Sequence, residues 1–163
     1  MSLVVVGSMA FDAIETPFGK SDRIIRGAAT YIAWSASNFT DTIKQISVVG
    51  GDFPKEELQA LEARGVILEG VQIKEDEKSF FWSGKYHMDM NTRDTLDTQL
   101  NVLANFTPVV PDSYQDCEFL MLGNLVPAVQ LSVIKQMKER PRLVVMDTMN
   151  FWMETAMDDL KKV

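Results

Sequence analysis

The stretch LVVVGSMAFD, residues 3–12, decides the fold. Its first four residues form an unbroken apolar run that ends at Gly7. Short runs of this kind, rich in β-branched residues and bounded by Gly, are typical of strands buried on both faces of a parallel sheet. In such sheets, ligands bind beyond the carboxyl ends of the strands. The stretch therefore predicts a central strand with Asp12 beside a binding crevice, while an acid that only shapes the turn would fit the pattern equally well.

Further strands and helices follow from the spacing of apolar residues. Three runs have the character of the first strand: residues 45–49, 119–122 and 143–146. Helical spacing is found in four segments: residues 28–40, 54–64, 127–139 and 151–162. Strands that alternate with helices indicate βαβ units with a mostly parallel sheet, so the sequence predicts an α/β fold.

Residues 78–107 depart from this alternation of strands and helices. Apolar and polar residues alternate over residues 80–91 and again over residues 96–107, which predicts two antiparallel strands with a turn at residues 91–95. The apolar face of the first strand carries Phe80, Trp82, Tyr86 and Met88. Such a pair of strands has one wet face and one face that must cover something.

The segment between Asp12 and Gly27 is also extended in character, with a turn predicted at residues 19–22. We expect it to join the later strands in a second small sheet. The chain would then have a body and a lid, with lid segments at about residues 13–26 and 78–107. Aromatic rings on a lid exclude water from a reacting group, but the same rings would also suit the core of a small sheet.

Composition and charge exclude several classes of partner. The 163 residues, 46% hydrophobic and 24% charged, suffice for one core or a core with a small appendage. A net charge of −7 without any Lys/Arg cluster argues against nucleic acid and anionic membranes as partners. The single Cys117 cannot form an internal disulfide and indicates a reducing cytoplasm. We expect no membrane span, and no metal site, because neither a long apolar run nor metal-ligand spacing occurs.

The common glycine-rich nucleotide motifs are absent. Gly7 is followed by Ser8 and Met9, so there is no Gly-x-Gly-x-x-Gly motif, and no Gly-x4-Gly-Lys-Ser/Thr loop occurs. Small residues from Gly27 open a predicted helix, where we expect N–H groups to be free for a ligand oxygen. The only histidine, His87, falls on the polar face of the lid and is expected at the surface.

Five motifs occur in an order and spacing that match along the whole chain. They are GSMAFD at residues 7–12, RGAATYIA at 26–33, VVGGDF at 48–53, KSFFW at 78–82 and DTMN at 147–150. Together they resemble the PfkB, or ribokinase-like, family of carbohydrate and nucleoside kinases. The resemblance implies a Rossmann-like three-layer body with a mostly parallel sheet and a small β-sheet lid. Residues 1–163 would be the N-terminal part of one ribokinase-like domain whose C-terminal half is absent.

The resemblance also implies an activity. A kinase of this family transfers the γ-phosphoryl group of ATP, with Mg²⁺, to a hydroxymethyl group of a sugar or nucleoside. The ATP site and catalytic base of the family belong to a Gly-Ala-Gly-Asp motif far beyond residue 163. Positioning and charge stabilisation carry nearly all of the catalysis in phosphoryl transfer. We therefore expect this chain to bind the small-molecule acceptor and to contain no catalytic residue.

The same resemblance implies individual site residues. Asp12 matches an acid that binds sugar hydroxyls, and Gly27 matches the second Gly of a pair that lies against the substrate. Arg26 stands where the first Gly is usual, and Tyr31 stands where ribokinases often have Asn, which favours a nucleoside or another larger acceptor. The implied substrate-binding residues are Asp12, Gly27, Ala28, Tyr31, Phe80, Trp82, Tyr86 and Asn124. The residues implied to face the phosphates and the metal are Asp147 and Asn150.

Two alternatives stay open at this point. The chain could be a non-catalytic ligand-binding module or a homodimer that forms through the lid, because the aromatic face of residues 80–90 would be a large apolar patch on a monomer. It could also be an unstable fragment of a larger domain. The oligomeric state and a thermal melt separate these alternatives.

Overall fold

The computed structural model describes residues 2–163. Its strands and helices in chain order are β1 (Leu3–Val6), β2 (Ala10–Thr16), β3 (Gly19–Arg26), α1 (Ala28–Ala36), β4 (Ile43–Gly50), α2 (Lys55–Glu62), β5 (Val66–Lys74), β6 (Phe80–Tyr86), β7 (Arg93–Gln99), β8 (Phe119–Leu122), α3 (Pro127–Gln136), β9 (Leu143–Met146), α4 (Asn150–Thr155) and α5 (Met157–Leu160). Short 3₁₀ helices lie at Asn101–Leu103 and Asp112–Tyr114. Across residues 2–163, no helix combines the length and the apolar content that crossing a membrane requires.

Five strands form the parallel sheet of the body, in the order β5-β4-β1-β8-β9. The side chains of the central strand β1 alternate between two cores, since Val4 and Val6 belong to one and Val5 to the other. The first core also contains Val133 of α3, whereas the second contains Ala29 of α1. Helices therefore cover both faces of the sheet, and the predicted three-layer α/β body is confirmed.

A separate four-stranded sheet, which we call the lid sheet, has the order β3-β2-β6-β7. β2 pairs antiparallel with β3 and parallel with β6, and β6 pairs antiparallel with β7. The prediction of a second small sheet that joins the segment after Asp12 to the later strands is confirmed. Its strands lie within residues 10–26 and 80–99.

The second lid strand lies earlier than the sequence alternation predicts. β7 ends at Gln99, and the following residues leave the sheet, so the strand predicted over residues 96–107 is wrong from residue 100 onward. Val102 and Phe106 belong instead to the core of the body. An irregular segment can also present apolar side chains to a core at short intervals, so the alternation did not separate it from a strand.

The turn between the lid strands also lies before residues 91–95. The His87 N–H donates to the carbonyl of Thr92 at 2.9 Å, which closes the reversal over residues 87–92. The carboxylate of Asp89 accepts hydrogen bonds from the Thr92 hydroxyl and from the N–H groups of Thr92 and Asn91. These bonds, the Thr92 hydroxyl first, hold the pKa of Asp89 below its ordinary value. An aspartate that bonds to the backbone ahead of it thus decides where this turn forms.

Two further expectations are corrected. The turn predicted at residues 19–22 lies inside β3, and the chain reverses at residues 17 and 18, where the Thr16 hydroxyl donates to the carbonyl of Gly19 at 3.0 Å. The helix predicted over residues 151–162 is interrupted at Ala156, whose φ of −139° and ψ of 32° separate α4 from α5. Both differences arise from local backbone geometry that apolar spacing does not report.

The sequence does not single out β5, because a bulge interrupts its pattern. The pairing of β5 with β4 shifts register between Lys44 and Ile46. The hydroxyl of Tyr114 holds this bulge, since it donates to the carbonyl of Ile67 at 2.9 Å and accepts from the Gly70 N–H at 3.3 Å. Burial raises the pKa of Tyr114 to about 12. The bulge therefore depends on one phenol that keeps its proton and serves as both donor and acceptor.

Tyr114→Phe should lower the free energy of unfolding by about 1–3 kcal/mol, because the Gly70 N–H and the Ile67 carbonyl lose a buried partner. Urea unfolding followed by circular dichroism measures the change. Tyr31→Phe is the matched control, since Tyr31 is 49% exposed, and it should unfold like the wild type. Equal midpoints for Tyr114→Phe and the wild type would contradict the role of the hydroxyl.

Candidate functional site

The carboxyl ends of three adjacent body strands lie side by side. β1, β8 and β9 end in register, and backbone hydrogen bonds continue past their ends. The Gly123 N–H donates to the carbonyl of Val6 at 2.7 Å. The Asp147 N–H donates to the carbonyl of Leu122 at 2.8 Å. The residues that follow these strand ends therefore lie together, at the position where parallel sheets bind ligands, and we call this region the crevice.

The start of α1 is held tightly against the end of β1. Gly27 has φ 108°, and a Cβ there would lie 2.3 Å from the carbonyl oxygen of Ser8. The Ala28 N–H donates to Ser8 Oγ at 3.2 Å, and the Ala29 N–H donates to the Ser8 carbonyl at 3.0 Å. Ser8 thus occupies the N–H groups of Ala28 and Ala29, two of the helix-start donors expected to be free for a ligand. Gly27 and Ala28 present a closely packed backbone wall instead.

Asp12 lies in β2, on the strand that leads from the crevice into the lid sheet. Its carboxyl is half-buried, and burial raises its pKa, an effect that the nearby charge of Arg26 partly opposes. Among residues 2–163, no group donates a hydrogen bond that stabilises this carboxylate. A half-buried carboxylate without a donor is costly for the fold and is able to accept two hydrogen bonds from a ligand.

The predicted lid aromatics share one face of the lid sheet with Asp12. Trp82 is the register partner of Asp12, and Phe80 is the partner of Ala10, two residues away on the same face. The indole of Trp82 lies flat on the sheet, because a Cβ at Gly84 would come within 2.0 Å of the ring. The structure thus places the backbone of Phe80 and Trp82 beside β2, but the indole of Trp82 extends over Gly84 to β7, where its N–H donates to the Thr95 hydroxyl at 3.3 Å.

Tyr86 lies farther out on the same face. It is four residues beyond Trp82 on β6, which is about 13 Å along a strand. Its register partner is Arg93, which is the first residue of β7 and follows the turn directly. Phe81, by contrast, points to the opposite face and packs against the core of the body. Tyr86 therefore lies at the end of the lid sheet that is far from the crevice.

Tyr31, in α1, contacts Arg26, which is not among the implied site residues. The guanidinium carbon of Arg26 is 5.4 Å from the centroid of the Tyr31 ring, within the range of a cation–π contact. The Nε atom of Arg26 is buried without a hydrogen-bond partner among the described residues. The departure from the family pattern at Arg26 was the sequence signal that could have placed it in the site.

The polar residues beyond β8 and β9 have different surroundings. The side-chain oxygen of Asn124 accepts a hydrogen bond from the indole N–H of Trp152 at 2.9 Å. Asp147 is exposed, and Asn150 is exposed at the first turn of α4. The Thr148 hydroxyl, which sequence reasoning missed, is buried without a partner in the part of the chain that the structure describes. A carboxylate, an amide and a hydroxyl thus follow β9 within four residues.

An ion pair ties the lid sheet to the body. Arg23 of β3 donates to the carboxylate of Asp52 at 2.5 Å, and the Ser79 N–H donates to the same carboxylate at 2.7 Å. Partial burial alone would raise the pKa of Asp52, but the bonds from Ser79 and Arg23 together hold it below its ordinary value. Asp52 belongs to the motif VVGGDF, whose role the sequence did not reveal. The contact fixes the first two lid strands against the loop after β4.

Comparisons with known proteins identify the fold. No protein-family model matches the chain. A cytidine kinase from Thermococcus kodakarensis is 28% identical over 138 residues, which are 85% of this chain and 49% of that protein. A Methanocaldococcus jannaschii nucleoside kinase, an archaeal member of the ribokinase family, has a TM-score of 0.75 at 17% identity, over 99% of this chain and 57% of that one. A ribokinase from Cryptococcus neoformans in complex with ADP has a TM-score of 0.70 at 16% identity, over 91% of this chain and 50% of that one.

The fold is therefore ribokinase-like, as the five sequence motifs predict. The chain spans about half the length of the curated relative that it matches. The two solved structures are less than 20% identical to this chain in sequence, so they show its fold and nothing about its activity.

Asp12→Asn should leave the Tm at pH 7 unchanged or raise it. An acid whose folded pKa lies above its unfolded value weakens the fold once the pH exceeds both. Because burial raises the pKa of Asp12 above 3.8, removing the charge relieves this cost. The difference in Tm between Asp12→Asn and the wild type should disappear as the pH falls from the folded pKa of Asp12 to 3.8. Thermal unfolding from pH 3 to pH 7 measures it.

Asp52→Asn is the matched control of opposite sign. The folded pKa of Asp52 lies below 3.8, so its charge stabilises the fold above that pH. Asp52→Asn should lower the Tm at pH 7, and the difference should shrink only as the pH falls below 3.8. A loss of stability at pH 7 for Asp12→Asn as large as that for Asp52→Asn would contradict the electrostatic account of both groups.

Proposed function

We propose that this chain, which has the fold of the ribokinase-like kinases, carries the acceptor site of an ATP-dependent kinase. The enzyme would phosphorylate a hydroxymethyl group of a sugar or nucleoside. The observation that carries the proposal is the half-buried Asp12 carboxylate, which has no donor from the described residues and lies in β2, the strand that follows the end of β1 into the lid sheet. Residues 1–163 would form the N-terminal part of one ribokinase-like domain, and we propose a cytoplasmic location.

The chemistry of Asp12 suits a polyol. A carboxylate accepts hydrogen bonds through both oxygens, and two neighbouring hydroxyl groups of a sugar supply two donors at matching separation. Such bonds would offset the cost of holding the charge away from water. The backbone wall of Gly27 and Ala28 would limit the crevice on the side of α1. Asn124 would contribute its amide NH₂, since its oxygen is already bonded to Trp152.

The aromatic side chains favour a nucleoside among the possible acceptors. Phe80 and Trp82 lie on the same face of the lid sheet as Asp12, and aromatic rings on that face offer apolar surface for a base. Tyr31 adds a ring on the side of α1. The names of two relatives, a cytidine kinase and a nucleoside kinase, support the same choice. Tyr86 would act only on a larger acceptor, because it lies near the distal end of the sheet.

ATP and Mg²⁺ are proposed as the phosphoryl donor and its metal. The residues present fit this pair, since Mg²⁺ binds through one or two carboxylates together with substrate phosphates. Asp147 offers an exposed carboxylate, and the buried Thr148 hydroxyl has no partner among the described residues. Asn150 would add an amide at the start of α4. Bound Mg²⁺ would neutralise charge on the transferred phosphoryl group, and no residue of this chain is proposed as the catalytic base.

Asp12→Asn should weaken acceptor binding by about 1–3 kcal/mol, which is the range for a buried polar contact left unmade. Isothermal titration of the chain with cytidine, inosine, ribose and fructose, without ATP, measures the affinities. Asp22→Asn is the matched control, because Asp22 lies in the same lid sheet and its side chain is 77% exposed. The proposal fails if none of the four compounds binds, or if Asp12→Asn binds them as tightly as the wild type.

A homodimer through the lid is the second candidate function. Its motivation is a set of exposed apolar side chains of the lid sheet and its turns: Phe18, Met88, Met90 and Leu96. A second copy that packs on these side chains would remove them from water. In this case the lid would serve mainly as an interaction surface.

Sedimentation equilibrium tests the dimer directly. We expect a monomer–dimer equilibrium that Phe18→Ser together with Met88→Ser shifts towards the monomer, because both side chains are more than two-thirds exposed. Val109→Ser is the control, since Val109 is 62% exposed but lies outside the lid sheet. A strict monomer at high protein concentration would exclude this function.

A further inference from the structure

Arg26 places a positive charge on the face of the lid sheet that carries Asp12. It is the last residue of β3 and the register partner of Ala10, and Asp12 is two residues beyond Ala10 on the same strand. Side chains two residues apart on a strand share a face, so Arg26 and Asp12 face the same side. The Tyr31 ring, 5.4 Å from the guanidinium carbon, holds the arginine against α1.

The guanidinium of Arg26 has no carboxylate partner within residues 2–163 at salt-bridge distance. Its Nε atom is buried and has no hydrogen-bond acceptor there. The charge nevertheless acts on Asp12, since it lowers the pKa that burial raises. A buried N–H without an acceptor costs desolvation free energy, and such groups in native proteins call for an explanation. The two terminal nitrogens of this guanidinium are not buried in this way, and they remain able to donate to the acceptor atoms of a ligand.

The charges around Arg26 indicate what kind of ligand this is. An anionic ligand would meet the Asp12 carboxylate on the same face, in a chain of net charge −7. A neutral ligand avoids this repulsion if it offers hydroxyl donors to Asp12 and acceptor atoms to Arg26. A nucleoside has both, because its ribose carries two adjacent hydroxyls and its base carries carbonyl oxygens and unprotonated ring nitrogens. The planar fork of an arginine matches two such neighbouring atoms.

We propose that Arg26 is a specificity-determining residue that donates hydrogen bonds to the acceptor atoms of the base of a neutral nucleoside. The proposal rests on the acceptor site proposed above and names its substrate class. Asp12 holds the ribose, Tyr31 supports the guanidinium, and Arg26 distinguishes a nucleoside from a sugar without a base. The side chain at position 26 therefore sets selectivity rather than binding of the sugar.

Two ribosides test the proposal: cytidine, and 1-deoxy-1-phenyl-β-D-ribofuranose, whose aromatic ring has no acceptor atom. Titration calorimetry gives the affinity of each for the wild type and for Arg26→Met, which keeps the apolar stem. We expect Arg26→Met to lose about tenfold or more in affinity for cytidine and less than about twofold for the phenyl riboside. Arg142→Met, a change at an exposed ion pair with Glu118, should leave both affinities unchanged.

Equal losses for both ribosides, or no loss for either, would overturn the role of Arg26 in reading the base. If Arg26→Met does not fold, the ratio of the two affinities is measured for Arg26→Lys instead, which keeps the charge but lacks the planar fork. A different result would contradict the proposed function itself, namely that the wild type binds neither riboside. If the wild type binds both and Asp12→Asn weakens both, while Arg26→Met changes their ratio by less than twofold, only the inference about Arg26 falls.

Discussion

The close contact between the Ser8 carbonyl and Gly27 is the constraint on which the rest of the site depends. Three chain segments meet there: the end of β1, the entry to the lid sheet and the start of α1. A side chain at position 27 would collide with the backbone of Ser8, and φ 108° is itself unfavourable for any residue with a Cβ. Because Ser8 also occupies the first N–H groups of α1, the helix cannot shift without moving β2, the strand that carries Asp12.

The crevice combines groups that are costly in isolation. The carboxyl of Asp12 is half-buried and has no hydrogen-bond donor among the described residues. Within the same part of the chain, the guanidinium of Arg26 has a buried nitrogen without an acceptor, and the Thr148 hydroxyl is buried without a hydrogen-bond partner. The body also holds buried polar atoms without a partner among the described residues, namely both amide atoms of Gln45 in β4 and the side-chain oxygen of Gln130 in α3. What distinguishes Asp12, Arg26 and Thr148 is their place at or near the strand ends, where parallel sheets bind ligands.

The parallel sheet could be predicted from sequence because β1, β4, β8 and β9 are short apolar runs with clear ends. The first of the later lid strands was also predictable, since residues 80–86 alternate strongly. Prediction failed where a specific hydrogen bond decides the structure, as with Asp89 at the lid turn and Tyr114 at the bulge of β5. In the candidate site, motif resemblance named Asp12 and Trp82, but their direct pairing follows from the parallel register of β2 and β6, which no local pattern reports. The unpartnered state of Arg26 is likewise a property of three-dimensional packing.

The parallel pairing of β2 with β6 also determines the order in which the molecule can assemble. Residue 10 pairs with residue 80, so β4, α2 and β5 are made before the lid sheet can close. Contacts between residues this far apart in the chain form slowly, because the entropy of closing the loop must be lost first. During synthesis on the ribosome, the β2–β3 hairpin therefore emerges long before its partner strand, with one edge unpaired. The complete lid sheet is accordingly a later product of folding than the hairpin that begins it, although all four of its strands are made before β8 and β9 of the body.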